Sequence, residues 1–510
     1  MTKTAGAEPR RHRARRAAAA VVARVRKSWP AALLVAVLLA VAIPSALLVV
    51  PGFLAPDQPA PAPAAPAWQQ VPATLSAVPA LAPLSAAAAI PRPAAVAAEL
   101  DPLLAADGGG NFTGQVQDAL TGEVLFDRGG ADARVPASNL KLLTAVAALR
   151  TLGPDHRFST KVLSGPDNRQ VVLTGGGDVL LGAGASDPDG VRGHAGLATL
   201  AARTADSLRS AGVTGEITVR FDDSLFSGPA LNPAWGLGDV AAGEVAPLAP
   251  LALNAARYDP AVTTGPRPQD PAAAAAAEFA GQLRAAVEPA GLTVAAAVER
   301  APAPAGTGTG TGTGTGGEAG QEVLAAADSA TVAEQVGAML QDSDNYLAEA
   351  LGRLAALASG RPGSNDGATA VVGAEAVAAG IAPAPLQLAD VSGLAMGNQV
   401  PAGTFVRAVT AITSGPDDRL RAALAGFPVA GVSGTLDSRY GDDATARGAG
   451  LVRAKTGTLN TVIALSGYVV DADGRLLVFS FIGNGLTPGA AGNRAALDRA
   501  ATALAACGCR

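Results

Sequence analysis

The sequence predicts an α+β fold, in which an antiparallel sheet is covered by helices and the sheet domain is interrupted by an inserted β-rich region. Three segments near the C-terminus have the pattern of strands, at 450–455, 463–470 and 476–482, and a helical pattern follows at 494–506. The turn Asp471-Ala-Asp-Gly474 joins the last two strands into a hairpin. A sheet whose apolar face is buried by helices accommodates this order of elements.

The insert is predicted at 159–330, where the sequence changes texture. Short strands are predicted at 171–173 and 217–221, an Ala-rich helix at 271–287, and a flexible Thr-Gly loop at 306–317. A chain of 510 residues is too long for one compact core, so more than one folded region is expected.

The first 97 residues are predicted to lie outside the folded regions. Residues 1–30 form a basic tail, 31–54 are an uncharged segment long enough to cross a hydrocarbon core of roughly 30 Å, and 55–97 are a Pro/Ala linker. By the positive-inside rule the tail is cytoplasmic and the rest of the chain is exported. The segment 31–54 is a transmembrane anchor or, alternatively, a cleaved signal peptide.

The charge of the exported part argues against a nucleic-acid partner. Nine of the 38 Lys and Arg, but only one of the 43 Asp and Glu, lie before residue 31, so the remainder carries a net charge of −13. An acidic protein repels phosphate backbones. A substrate carboxylate would need a locally placed cation.

The two cysteines do not suggest a metal centre. Cys507 and Cys509 lie at the C-terminus with Gly508 between them, and they can form a small ring or remain thiols. A pair of thiolates without a nearby histidine is an unlikely zinc site. The cysteines therefore predict no metal centre.

A candidate nucleophile and its base lie at the start of one predicted helix. The sheet domain is predicted to comprise 98–158 and 331–510, with a largely apolar, buried helix at 140–149. Ser138 falls at the helix start, and Lys141 follows three residues later on the same side. A helix N-terminus favours negative charge, which suits an activated serine.

A lysine rather than a histidine is expected to activate this serine. The chain has 3 histidines, none beside a recognisable nucleophile motif such as Gly-x-Ser-x-Gly. Lys141 can accept a proton only when it is neutral, which requires burial or a nearby positive charge to lower its pKa from about 10.4. Lys455 is expected to supply that charge.

A second motif, Ser343-Asp-Asn345, lies between helices predicted at 330–340 and 346–357. Ser343 can relay a proton to a leaving amine, and Asn345 can hydrogen-bond a substrate amide. The same residue types are also good helix N-caps, and the two roles are compatible.

A third motif, Lys455-Thr-Gly-Thr458, is predicted at the end of a strand whose exposed edge can pair with an extended peptide. Lys455, Thr456 and Thr458 would bind a terminal carboxylate. Gly457 permits close approach of the substrate. The backbone amides of Ser138 and Thr458 could form the oxyanion hole.

In this order, the three motifs resemble those of the D-alanyl-D-alanine carboxypeptidase/endopeptidase family, the low-molecular-mass class C penicillin-binding proteins. The similarity covers about residues 100–505. The segments that carry it most clearly are 134–145, 343–349, 431–436 and 455–459, with 175–178 in the insert and 390–394, where Val391 replaces an expected Gly.

The resemblance implies a penicillin-binding/serine β-lactamase-like transpeptidase domain and a serine-type D-Ala-D-Ala carboxypeptidase acting on peptidoglycan stem peptides in the cell envelope. It also implies a covalent acyl-serine intermediate and acylation by β-lactams, and it implies no metal and no organic cofactor. The implied catalytic residues are Ser138, Lys141, Ser343, Asn345 and Lys455, and the substrate-binding residues are Thr456, Gly457 and Thr458.

Other functions of the same cleft stay open. A DD-endopeptidase would cleave cross-links with the same groups, and a non-catalytic wall-binding or penicillin-sensing protein would only bind there. A serine β-lactamase is disfavoured, because no convincing Glu-x-x-x-Asn motif follows Ser343-Asp-Asn345. The sequence leaves the oligomeric state undetermined.

Overall fold

A computed structural model describes residues 84–303, 322–384 and 386–510 of the chain. The predicted basic tail, the apolar segment 31–54, most of the linker and the Thr-Gly loop 306–317 lie outside these residues. Among the helices within them, none has the length and apolar character needed to cross a membrane.

The elements follow one another in a mixed order. The strands are β1 (Gly109–Asp118), β2 (Val124–Arg128), β3 (Ala133–Arg134), β4 (Ser159–Ser164), β5 (Gln170–Thr174), β6 (Glu216–Asp222), β7 (Thr293–Arg300), β8 (Val323–Asp328), β9 (Val400–Pro401), β10 (Arg453–Leu459), β11 (Val462–Val470) and β12 (Leu476–Thr487). The helices are α1 (Pro93–Leu100), α2 (Lys141–Thr151), α3 (Leu197–Ser210), α4 (Leu237–Ala242), α5 (Pro271–Val287), α6 (Val332–Asp342), α7 (Asn345–Ala358), α8 (Asn365–Ala378), α9 (Ala402–Thr413) and α10 (Ala490–Ala506). Short 3-10 turns occur at Ala137–Leu140, Glu288–Ala290, Asp418–Gly426, Gly434–Leu436 and Ala446–Gly448.

The main sheet has the strand order β10-β11-β12-β1-β2, with antiparallel neighbours throughout. Successive residues of a strand point to opposite faces, and both faces of this sheet are buried. On one face Val478 and Ile482 pack with α2, α7 and α9, while on the other Phe479 and Phe481 pack with α1 and α10. The predicted α+β class, an antiparallel sheet covered by helices, is confirmed.

The pairing of β1 with β12 joins two distant parts of the sequence. It runs from Gly109 opposite Thr487 to Asp118 opposite Leu477. Because β1 precedes the β-rich region and β12 follows it, this pairing brings the segment that carries Ser138 against the segment that carries Lys455.

The β-rich region forms its own sheet, ordered β7-β6-β5-β4-β8. Strands β5, β6 and β7 are parallel, and β4 is antiparallel to both of its neighbours. Helices α3 and α5 bury their apolar faces on this sheet through side chains that include Leu208 and Phe279.

Three local predictions need correction or completion. The linker predicted at 55–97 extends too far, because α1 begins at Pro93 and buries Val96 and Leu100 against the main sheet. The strand predicted at 450–455 instead runs from Arg453 to Leu459, so Lys455 lies within β10 rather than at its end. At the C-terminus, Cys507 and Cys509 form a disulfide, which is the first of the two alternatives that the sequence left open.

Candidate active site

Ser138 and Lys141 meet where a tight turn becomes a helix. Ser138 lies in the 3-10 turn Ala137–Leu140, and Lys141 is the first residue of α2. Every residue of α2 up to Leu149 is buried, so this helix forms the centre of the helical layer and its start is held firmly. Lys141 Nζ donates a hydrogen bond of 2.9 Å to Ser138 Oγ.

Lys141 is held by two further acceptors and has no exposed surface. Its Nζ also donates to Asn345 Oδ1 at 2.6 Å and to the carbonyl oxygen of Ser392 at 2.7 Å. Burial lowers the pKa of Lys141 to about 8, although four carboxylates act in the opposite direction: Asp390, Asp344, Glu349 and Glu244. An amine with this pKa is neutral in a useful fraction of molecules near neutral pH.

The expected cause of the low pKa of Lys141 was wrong. We predicted repulsion by Lys455, but the main cause is burial of Lys141 itself. Lys455 is also fully buried, and its own pKa is well below the usual value because of burial first and the charge of Lys141 second. Burial therefore disfavours the charged form of Lys455 as well, and Lys455 is not among the groups that lower the pKa of Lys141.

The turn that carries Ser138 is clamped between two glycines. Ala137 has a positive φ of 47°, a conformation that costs free energy for a residue with a side chain. A Cβ on Gly393 would lie 1.9 Å from the Ala137 carbonyl oxygen, and a Cβ on Gly457 would lie 3.1 Å from Ser138 N. A side chain at either position would displace the turn. The two glycines therefore allow the loop around Gly393 and strand β10 to pack closely against Ser138.

Asn345 links the dyad to the β-rich region. It is the first residue of α7, and its Oδ1 accepts from Lys141 while its Nδ2 donates to the Glu244 carbonyl oxygen at 3.0 Å. Ser343, two residues earlier, ends α6 in the left-handed conformation with φ 57°. The sharp reversal at Ser343 allows α7 to start beside α2.

Asp344 caps α7 and forms two ion pairs, and the sequence did not predict the ion pairs. Its Oδ1 caps α7 by accepting from Leu347 N at 3.0 Å, and its Oδ2 accepts from Arg257 at 2.7 Å and Arg192 at 3.1 Å. Burial alone would raise the pKa of Asp344, but the two guanidinium groups and the backbone amide lower it to about 2. Both arginines come from the β-rich region, and no motif marks them.

The third motif lies on β10, the edge strand of the main sheet. Lys455 Nζ donates to the Thr456 carbonyl oxygen at 2.8 Å, and the Thr456 hydroxyl is 2.7 Å from that of Thr435. Thr458 is exposed. One long side of β10 therefore has no strand beside it among the described residues, although the isolated bridge from Val429 reaches Arg453 at its start.

The predicted site residues thus fall into three groups. Ser138, Lys141 and Asn345 are joined directly by hydrogen bonds. Lys455 is close enough for its pKa to respond to the charge of Lys141, and Gly457 packs on the turn. Within the described residues, no hydrogen bond connects the remaining three to the dyad: Ser343, Thr456 and Thr458.

Residues that the sequence reasoning missed surround Lys141. The sequence marked the segment 390–394 only by its resemblance to the family. In the structure the Ser392 carbonyl accepts from the Lys141 amine, and Asp390 organises the loop 390–394. Asp390 accepts from Trp235 Nε1, the backbone amides of Gly393 and Ala395, Ser392 Oγ and Asn398 Nδ2. A buried carboxylate satisfied in this way fixes the loop beside the site.

Known proteins are similar to this chain in sequence and in fold. The D-Ala-D-Ala carboxypeptidase 3 (S13) family matches residues 96–291 and 266–504. Carboxypeptidase Rv3627c of Mycobacterium tuberculosis is 38% identical over 432 residues, which cover 84% of this chain and 87% of the relative. Carboxypeptidase DacB of Mycolicibacterium smegmatis is 36% identical over 450 residues, covering 88% and 91%.

A solved structure has the same fold. Penicillin binding protein 4 of Haemophilus influenzae superposes with a TM-score of 0.61 at 23% sequence identity, and the match covers 81% of this chain and 98% of that protein. At this level of identity the likeness concerns the fold.

Proposed function

The chain belongs to the D-Ala-D-Ala carboxypeptidase 3 (S13) family, and we propose that it removes the terminal D-alanine of peptidoglycan stem peptides through an ester of Ser138. The observation that supports this mechanism best is the 2.9 Å hydrogen bond between Ser138 Oγ and the buried amine of Lys141. A serine beside an amine of lowered pKa is an activated nucleophile.

In the proposed acylation step, neutral Lys141 accepts the proton of Ser138 Oγ. The oxygen attacks the carbonyl carbon of the penultimate D-alanine, and the backbone amides of Ser138 and Thr458 stabilise the negative charge on the carbonyl oxygen. The bond to the nitrogen of the terminal D-alanine then breaks. Ser343 relays the proton from Lys141 to the leaving amine, which departs as free D-alanine.

Water completes the proposed cycle. Lys141 accepts a proton from the water, the hydroxide adds to the ester carbonyl, and Ser138 Oγ leaves with the returned proton. The stem peptide departs with a new terminal carboxylate. A β-lactam enters the same cycle through its amide carbonyl, and its opened ring stays attached to Ser138, so we propose that β-lactams acylate this enzyme.

Substrate binding is proposed to use the free side of β10. An extended peptide can pair with the backbone of this edge strand, and the terminal carboxylate would reach Lys455, Thr456 and Thr458. The amine of Lys455 is buried in the free enzyme, with its pKa lowered by burial first. An incoming carboxylate favours the protonated amine, so binding would draw a proton onto Lys455.

The place of action follows from the family, whose substrate is part of the cell envelope. We propose further that the apolar segment 31–54 anchors the chain in the cytoplasmic membrane, with the acidic body outside. The part of the Pro/Ala linker before the described residues, 55–83, at about 3.1 Å per extended residue, would then let the enzyme reach on the order of 100 Å into the wall.

The proposed activity is tested by mass analysis of products from purified muropeptides. Pentapeptide stems should lose the mass of one alanine when incubated with the wild-type chain and remain intact with Ser138→Ala. Cleavage of cross-linked dimers without release of D-alanine from pentapeptides would contradict the carboxypeptidase assignment and support the endopeptidase alternative. Binding with no change of mass in either substrate would support a non-catalytic role.

A further inference from the structure

Glu349 is a buried carboxylate near the dyad that the mechanism above does not use. It lies on α7 one helical turn after Asn345, and only 1% of its surface is exposed. Its Oε1 accepts hydrogen bonds from two successive backbone amides, Val391 N at 3.0 Å and Ser392 N at 2.8 Å. A carboxylate buried to this extent needs partners, and these two amides provide them.

The backbone segment that donates to Glu349, Val391–Ser392, also accepts a hydrogen bond from Lys141, the proposed base. The carbonyl oxygen of Ser392 accepts from Lys141 Nζ at 2.7 Å, and the carbonyl oxygen of Val391 accepts from Thr144 Oγ1 at 2.5 Å. Lys141 and Thr144 both belong to α2. The short segment Val391–Ser392 is therefore fixed from two sides, by α7 through Glu349 and by α2 through the base and its neighbour.

We propose that Glu349 is a positioning residue for Lys141. Glu349 fixes the Ser392 carbonyl, which directs the Lys141 amine towards Ser138, and the negative charge of Glu349 makes that amine a stronger base. This inference rests on the proposed acyl-serine function and assigns a second role within it. Glu349 does not touch Ser138 or the substrate in this scheme. It acts through Lys141.

The charges around Glu349 and Lys141 determine in which direction the pKa of Lys141 should change when Glu349 is replaced. The groups that face Lys141 are the carboxylates of Asp390, Asp344, Glu349 and Glu244, together with the amine of Lys455. The groups that face Glu349 are the carboxylate of Asp390 and the guanidinium of Arg353. Burial first and Asp390 second raise the pKa of Glu349 to about 7, whereas the pKa of Lys141 is about 8.

The two groups titrate in the same pH range, so each responds to the charge of the other. When Glu349 is charged, it favours the protonated form of Lys141. If the charge of Glu349 is removed, the protonated lysine loses one stabilising partner. Lys141 should then become neutral at a lower pH.

The test compares the pH dependence of penicillin acylation in the full-length wild-type chain and in Glu349→Gln. Glutamine keeps a side-chain oxygen that can accept from the backbone amides but has no charge. We expect the midpoint of the acylation rate to move down by up to roughly one pH unit, because Lys141 then titrates without a neighbouring negative charge. Glu375→Gln is the matched control, because Glu375 pairs with Arg150 instead, and its midpoint should equal that of wild type.

A merely structural role for Glu349 predicts a different result. The plateau rate and the melting temperature of Glu349→Gln would fall, and the midpoint would stay in place, which would overturn the proposal. If the wild-type chain is not acylated at any pH, the proposed function itself fails. The two failures are therefore distinguishable.

A second measurement needs no variant. The chain has five lysines, so labelling with [ε-¹³C]lysine gives few NMR signals, and the signal of Lys141 can be followed as pH changes. We expect the titration curve of the Lys141 signal to be broader than that of one independent group, because Glu349 ionises in the same pH range. A curve that fits one independent ionisation would contradict the coupling even if Glu349→Gln failed to fold.

Discussion

Replacement of Lys141 by arginine is expected to lower the acylation rate and turnover by as much as ~10⁶-fold, the scale seen when a serine peptidase loses its nucleophile or base. A guanidinium stays protonated at all accessible pH values and cannot accept the proton of Ser138. It is also larger than the amine that now fits between Ser138, Asn345 and the Ser392 carbonyl. The rate is measured by stopped-flow reaction with a chromogenic β-lactam.

Lys161→Arg is the matched control for this substitution. Lys161 lies on β4 in the β-rich region, so its replacement should leave the acylation rate unchanged. Lys141→Ala should be about as slow as Lys141→Arg, because both lack a titratable amine. A rate for Lys141→Arg within tenfold of wild type would refute the role of Lys141 as the base.

Replacement of Asp344 by alanine is expected to destabilise the folded chain by about 3–5 kcal/mol. The change leaves Arg257, which is almost fully buried, and Arg192 without their shared carboxylate, and it removes the cap of α7. The free energy of unfolding is measured by urea titration at pH 7. Because the pKa of Asp344 falls from 3.8 to about 2 on folding, its contribution is present above about pH 4 and is lost as pH falls towards 2.

Asp342→Ala provides the comparison. Asp342 pairs with the same Arg192 at 2.8 Å, but 44% of its side chain is exposed. Exposed ion pairs contribute at most about 1 kcal/mol, so this variant should unfold close to wild type. Equal destabilisation by the two substitutions would show that the buried ion pair of Asp344 with Arg257 contributes no more to the free energy of unfolding than the exposed pair of Asp342 with Arg192.

The spacing of motif residues along single helices was the most informative signal in the sequence. Lys141 follows Ser138 by three positions, and a helical arrangement at this spacing places the two side chains together, as the structure does. Residue type added a second constraint, because only an amine can act as a base at this position. Both arguments are local, which is why they could be made without a structure.

Contacts between distant segments could not be predicted in the same way. Glu349 is four residues from Asn345 and shares its helix face, but its partners at 391 and 392 are brought close only by the packing of α7 beside α2. Arg257 reaches Asp344 across 87 residues of sequence. The burial of Lys455 likewise depends on the complete fold, and the sequence therefore suggested the wrong cause for the low pKa of Lys141.

The C-terminal end of β10 was also predicted incorrectly from the sequence. The Lys455-Thr-Gly-Thr458 motif contains residues typical of turns, and the predicted strand ended at its first residue, Lys455. In the structure the pairing with β11 continues to Leu459, opposite Val462, and the polar residues lie on an edge strand. Tertiary pairing overrides local propensity here.

The central claim is that Ser138 carries the acyl group, and mass analysis of the intact chain after reaction with penicillin tests it most directly. The account predicts a single adduct with the mass of the whole antibiotic, located by peptide mapping to the segment that contains Ser138 and absent from Ser138→Ala. Ser343→Ala should still form the adduct, although more slowly, because the proposed role of Ser343 is only to relay a proton. An adduct that persists in Ser138→Ala, or one that maps to Ser343 in the wild-type chain, would contradict the account.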